Sequence, residues 1–261
     1  MLRFAANLSM LFTELPFLER FAAARAAGFR AVEYLFPYEY PAEQLAGLLR
    51  ANGLMQVLFN LPAGDWGQGD RGIAADPARV GEFRAGVDKA LAYARTLGVA
   101  QLNCLAGKAL PGVSVGEQWR TLRDNLRHAA PLLAAQGVKL LVEFINTYDI
   151  PGFFLHNTAQ AVRLLNETGS PNVFLQYDLY HAQRAEGELT ATLRTHFERI
   201  AHIQIADNPG RHQPGTGEIN FPYLFAQLEA LDYQGHIGLE YVPAPDTLSS
   251  LEWLARFGLK P

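Results

Sequence analysis

The chain carries one cysteine, Cys104, so no disulfide can form within it; that fits a reducing compartment and leaves stability to a packed core. It also lacks any apolar run approaching the roughly 18 residues that a membrane helix needs. The apolar start of the chain resembles a secretory leader only superficially. Asn7 and Ser9 interrupt it, and Glu14 and Pro16 follow, so a cytoplasmic protein is expected. An excess of positive charge is missing too. With 22 Lys and Arg against 26 Asp and Glu, the net charge of −4 argues against nucleic acid or an anionic membrane as partner, local patches aside. No linker, low-complexity segment or domain boundary is visible. What is present is 261 residues, 49% of them hydrophobic and 18% charged, which is enough for one sizeable core. The length suits a single barrel of eight strand–helix units, about 250 residues, spanning 1–261.

A phrase repeats along the chain: an amphipathic stretch, a glycine, then a short β-rich run. It starts at Gly28, Gly53, Gly98, Gly137, Gly169 and Gly235. Glycine closes helices in the left-handed conformation, so each phrase marks a helix end feeding a strand. The interval from Gly169 to Gly235 holds a further strand, residues 199–206, and residues 3–9 supply one more, making eight. Strands alternating with helices imply parallel pairing through right-handed crossovers. Eight such units close into a (β/α)₈ TIM barrel more naturally than into the alternative, an open doubly wound sheet. A helix is expected over Leu15 to Ala27, with Phe17, Leu18, Phe21 and Ala24 on one face, and another capped by Asn220 with Pro222 in its first turn. Residues 60–73 form a long irregular stretch after a strand, a length that points to function.

In such a barrel, chemistry gathers where strands end. The last residues of the strands read Glu33, Asn60, Asn103, Glu143, Asp178, Gln204 and Glu240. Carboxylates are costly to bury alone, so several at one rim need a metal, protons or basic partners. Any one of them is as readily a rim acid paired with Lys or Arg. Together, Glu143, Asp178, Gln204 and Glu240 end four consecutive strands, an oxygen-only set suited to Mg²⁺ or Mn²⁺ more than Zn²⁺. Cys104 reads as a small core residue. The run 214–218, PGTGE, hints at a phosphate loop but lacks the lysine and spacing of one, and reads as a tight loop backing the metal site.

Residues 4–12 (FAANLSMLF), 60–66 (NLPAGDW), 102–108 (LNCLAGK), 150–153 (IPGF), 204–209 (QIADNP) and 214–220 (PGTGEIN) resemble the hydroxypyruvate isomerase family, within the larger xylose-isomerase-like barrel group, over essentially the whole chain. The resemblance implies that Glu143 and Glu240 are the catalytic pair and that Glu143, Asp178, Gln204 and Glu240 hold the metal. Glu33 is outside that set and is expected to be a supporting or structural acid. Related sugar epimerases add, by motif, His181, Arg211 and Asp149. Those epimerases usually place His at the strand-seven ligand, so Gln204 favours the hydroxypyruvate branch.

The implied reaction moves a carbonyl between C2 and C3 of a three-carbon hydroxy-oxo acid. One glutamate takes the C3 proton, the other returns one at C2, and the cation steadies the enediolate between. The substrate carboxylate needs a cation, for which Lys108, Arg71, Arg211 and His212 stand near the rim; each is equally readable as an ordinary solvated charge. Lys108 and Arg71 are expected opposite Glu240. Asn60 and Trp66 are placed at the pocket wall, Trp66 being as readily a packing residue, and His181 either bonds a substrate hydroxyl or caps its helix. The partner is a small molecule, with self-association left open. Nearby alternatives are a 2-oxo-tetronate isomerase or a ketose 3-epimerase. A barrel of the abasic-site endonuclease kind needs a histidine-rich zinc site and a basic face, which seven histidines and a negative charge do not favour. A catalytically dead binding barrel is disfavoured by the intact glutamate pair.

Overall fold

The structure, a computed structural model, describes residues 2–261; Met1, which opens the leader-like stretch, lies outside them. The strands are β1 (Arg3–Asn7), β2 (Ala31–Glu33), β3 (Met55–Asn60), β4 (Gln101–Cys104), β5 (Lys139–Glu143), β6 (Val173–Asp178), β7 (Ile200–Ile205) and β8 (His236–Leu239). They pair in parallel, in chain order, and β1 returns to β8 with Arg3 opposite His236 and Ala6 opposite Leu239. The sheet is therefore the expected closed barrel and not the open doubly wound one. Among the described residues, no helix is long and apolar enough to cross a membrane.

The helices begin and end largely where their residues demand. The stretch after Pro16 is a short 3₁₀ turn (Phe17–Glu19) running into α1 (Arg20–Ala26); Phe21 and Ala24 are buried, and Phe17 and Leu18 pack against the core. Next come α2 (Ala42–Asn52), α3 (Val80–Leu97), α4 (Val115–Ala134), α5 (Thr158–Thr168), α6 (Leu179–Ala185), α7 (Leu189–His196) and α8 (Phe221–Ala230). Asn220 accepts from the Tyr223 N–H at the start of α8, with Pro222 in the first turn as expected. Gly53, Gly98 and Gly169 close α2, α3 and α5 in the left-handed conformation. Gly235 departs from that pattern. The left-handed residue after α8 is Asp232 (φ 56°), and Gly235 is needed because a Cβ there would stand 2.3 Å from the Tyr233 hydroxyl oxygen.

Most of the core lies between strands and helices. Inside the barrel the apolar filling is a small cluster of Ala5, Ala31, Val57, Leu58 and Leu141, backed by Phe174 and Ala201. Above it the interior turns polar. Asn7, Glu33, Asn60, Asn103, Glu143, Asp178, Gln204 and Glu240 contribute one residue from, or just beyond, each strand, and none is more than 7% exposed. Asn7 faces Glu33 in register, Asn60 faces Asn103, and Asp178 faces Gln204. This ring of eight is the floor on which the site is built.

Candidate active site

Glu240, the first residue after β8, accepts three hydrogen bonds: from Asn7 Nδ2 (3.1 Å), Gln204 Nε2 (2.6 Å) and Arg211 Nη2 (2.7 Å). Glu33 lies beneath, accepting from the same Asn7 (3.0 Å) and Gln204 (2.8 Å) amides and paired with His202 Nε2 (2.7 Å). It fits only because β8 carries glycine there: a Cβ on Gly238 would come within 2.3 Å of the Glu33 carboxylate. Glu33 thus braces the floor, the supporting role its exclusion from the ligand set implied. Across the ring, Asn103 Nδ2 donates to Glu143 (3.0 Å) and to Asn60 Oδ1 (3.2 Å). Asp178 caps α6, its Oδ1 accepting from the backbone N–H of Tyr180 (2.8 Å) and His181 (3.4 Å). Its other oxygen, Oδ2, is buried with no hydrogen-bond partner.

Crowding these acids has an electrostatic consequence. Burial, and then repulsion from Glu240 and Asp178, pushes the Glu143 carboxyl well above the ordinary range. Burial raises Glu240 to about 8 against the pull of Arg211, and Asp178 to about 6 against the same pull. Such a cluster holds protons or a cation. Glu143 and Asp178 each offer an oxygen, and His181 a nitrogen, within 4.8 Å of one another. The carboxylate oxygens of this group, the unpartnered Asp178 Oδ2 among them, are hard donors that fit a divalent cation. Gln204 is placed differently from the expected ligand: its Oε1 accepts from Gln176 Nε2 (2.6 Å) while its nitrogen faces the acids. Coordination through Gln204 therefore requires its amide to turn.

The loop between β7 and α8 brings in Arg211. Its backbone is left-handed (φ 55°), and its guanidinium reaches Glu240, stands 3.7 Å from Asp149 and lies over the Tyr180 ring. Burial disfavours its charge, but Glu240, Asp178 and Asp149 together hold it more firmly protonated than usual. Asp207 organises that loop. Its Oδ2 accepts from the backbone N–H groups of Gly215, Thr216 and Gly217, and its Oδ1 from those of Asn208 and Ile219. The glycine-rich run thus wraps a carboxylate of its own chain. Sequence reasoning missed Asp207 and Asn7, although an acid two residues beyond a strand, with Gly-Thr-Gly later in the same loop, is a signal for the former.

The remaining sequence-named residues divide. Asn60 joins the ring through Asn103. His181 is buried at the start of α6, with Nε2 3.8 Å from Asp178. Arg71 lies in the long loop, its guanidinium stacked on Trp66 (4.1 Å) and donating to the carbonyls of Trp66 and Asp70. Lys108 is exposed on a segment bridged to Phe153, and His212 Nδ1 is bonded to the Val242 carbonyl. Of these cations, Arg211 is the one in contact with the acid ring. Cys104 is buried, which pushes its thiol up to about 12.

Known proteins resemble this chain over nearly its whole length. The family described as xylose isomerase-like TIM barrel matches residues 21–257. Hydroxypyruvate isomerase of Escherichia coli K12 is 52% identical over 254 residues, covering 97% of this chain and 98% of its own. The 2-oxo-tetronate isomerase of Cupriavidus necator is 47% identical, covering 97% of each. The crystal structure of AP endonuclease, family 2 from Brucella melitensis superposes with a TM-score of 0.96 at 46% identity, covering 98% of this chain and 99% of that one.

Proposed function

Because the chain belongs to the xylose isomerase-like TIM-barrel family, we propose that it is an isomerase interconverting hydroxypyruvate and 2-hydroxy-3-oxopropanoate. The observation that carries this reading is the buried pair Glu143 and Glu240, both held toward the protonated form on one ring with Asp178. Carbonyl migration by proton transfer uses two such groups, one ionised to accept a proton and one protonated to give it.

A divalent cation, Mg²⁺ or Mn²⁺, held by Glu143, Asp178, Glu240 and a turned Gln204, would supply Lewis-acid stabilisation of the charge developing on the substrate oxygens. The chain's own residues do the rest. One glutamate removes the C3 proton, the electron pair moves to make the enediolate, and the other glutamate delivers a proton to C2. The hydroxyl proton passes from the C3 oxygen to the C2 oxygen, so the sum is an isomerisation with nothing gained or lost. Arg211 carries the charge needed against the substrate carboxylate, with Arg71, Lys108 and His212 further out on the rim and Asn60 in the polar ring beneath. Burial of the ring excludes water from the exchanging proton.

The similarity to a structure called an AP endonuclease does not move this reading. The chain's net charge is −4, and the donors around Asp178 are mainly carboxylate, a poor match for a DNA backbone. We read residues 1–261 as one catalytic unit acting in the cytoplasm on a small molecule, without nucleic acid or membrane. Assaying the purified protein against hydroxypyruvate, 2-oxo-tetronates and neutral ketoses, with and without chelator, tests it. Hydroxypyruvate should show the highest kcat/KM, chelator should abolish turnover, and Mg²⁺ or Mn²⁺ should restore it. Faster turnover of neutral ketoses would sink the assignment.

A further inference from the structure

His181 presents an ambiguity that geometry by itself does not resolve. The residue belongs to the close group with Glu143 and Asp178, and its Nε2 stands 3.8 Å from the unpartnered Asp178 oxygen. A ring nitrogen there is either a third ligand to a cation or a hydrogen-bond donor to substrate. The choice is made on the far side of the ring.

Asn146, three residues beyond the end of β5, is fully buried. Its Oδ1 accepts from two backbone N–H groups, those of Tyr148 (3.0 Å) and Asp149 (2.9 Å). Those two donors fix which end of the amide is which, since a reversed side chain would set NH₂ against both. The NH₂ end therefore faces His181, with Nδ2 2.7 Å from Nδ1. An amide NH₂ only donates, so Nδ1 must keep its lone pair, and a neutral ring then carries its proton on Nε2. We propose that Asn146 is a positioning residue that fixes His181 as a neutral Nε2–H donor, aimed at the reacting oxygens and withheld from the cation. An Nε2–H has no lone pair to offer a metal. It does offer a fixed donor, in a buried site, to an oxygen gaining negative charge. Only the identity of that oxygen rests on the isomerase reading; the tautomer stands without it.

The test is a long-range ¹H–¹⁵N correlation spectrum of the full chain labelled at histidine, recorded metal-free and with Mg²⁺. The His181 signals are assigned by their loss in His181→Gln. The expected result is a protonated Nε2 and an unprotonated Nδ1, unchanged by Mg²⁺. A proton on Nδ1 in the wild type, or a shift of Nε2 on Mg²⁺ addition of the kind direct coordination causes, overturns the proposal, and neither depends on any variant folding. In Asn146→Asp the carboxylate accepts where the amide donated, so the ring proton should move to Nδ1. With hydroxypyruvate, kcat should then fall about a hundredfold with KM little changed. An Asn146→Asp protein with native melting temperature and the wild-type tautomer would also overturn it. If the tautomer is found and hydroxypyruvate is not turned over, the isomerase reading fails and this one survives.

Discussion

Glu143 and Glu240 differ in their surroundings in a way that bears on what a substitution does. Glu143 has one amide donor, from Asn103, whereas Glu240 has two amides and a guanidinium. Replacing either by Gln keeps the shape and an acceptor oxygen but ends proton exchange, so kcat should fall by about 10²- to 10⁴-fold in each case. Melting temperature should hold or rise in Glu143→Gln, because one of the crowded buried acids is gone. Substantial activity in either variant, measured with saturating Mg²⁺, would show that the proton carrier is elsewhere. These acids were legible in the sequence because they end strands. Asn7 was not; in the sequence it served only as a polar break in an apolar run. Nor was the way Gln204 turns, since an amide's orientation is decided by its neighbours: here Gln176 on one side, Glu33 and Glu240 on the other.

The element that depends most on a single residue is the β7–α8 loop. Five backbone N–H groups converge on the Asp207 carboxylate, and the same loop delivers Arg211 to Glu240. Asp207→Asn sets an NH₂ against donors that now find an oxygen, and should cost roughly 1.5–3 kcal/mol of stability. Gly217→Ala acts on the same turn from outside, because its Cβ would stand 2.0 Å from the Asn208 carbonyl oxygen. Both variants should lose activity through a displaced Arg211; thermal denaturation beside kcat/KM checks this, and unaltered values in both would show the loop to be passive. From the sequence this run could be separated from a phosphate loop and read as a tight loop behind the metal site, but its anchor, Asp207, was not seen. Its role lies in backbone N–H directions, which residue letters do not display. The misassigned Gly235 has the same origin: the left-handed slot fell to Asp232, and the glycine answers to the nearby Tyr233 ring.

At the scale of the molecule, the barrel was the most legible feature, since six glycine-led phrases and two further β-rich runs leave few other arrangements. Closure also brings distant residues together, and one pair has a measurable effect. His236 on β8 faces Arg3 on β1, and it is half-buried. Burial, then the Arg3 charge, lowers its pKa to about 4. Unfolding restores an ordinary histidine, which binds protons more readily than the folded one between those values. The stability that His236 contributes is therefore present above about pH 6.5 and is lost as pH falls through about 4. The melting temperature should drop across that window, and drop less steeply in His236→Gln. Parallel curves for the two proteins would refute the assignment.

The polar ring inside the barrel also sets what can be gained by changing it. TIM barrels usually fill their interior with layers of branched aliphatic side chains, and this one keeps a full layer of amides and acids in their place. Aliphatic residues of similar volume would satisfy that layer more simply, with no charge to neutralise and no amide to orient. Selection for heat tolerance alone would therefore drift toward sturdy barrels with an oily floor and no turnover. Any effort to harden this protein for use has to leave those eight positions untouched and look to its surface, its helix ends and its loops.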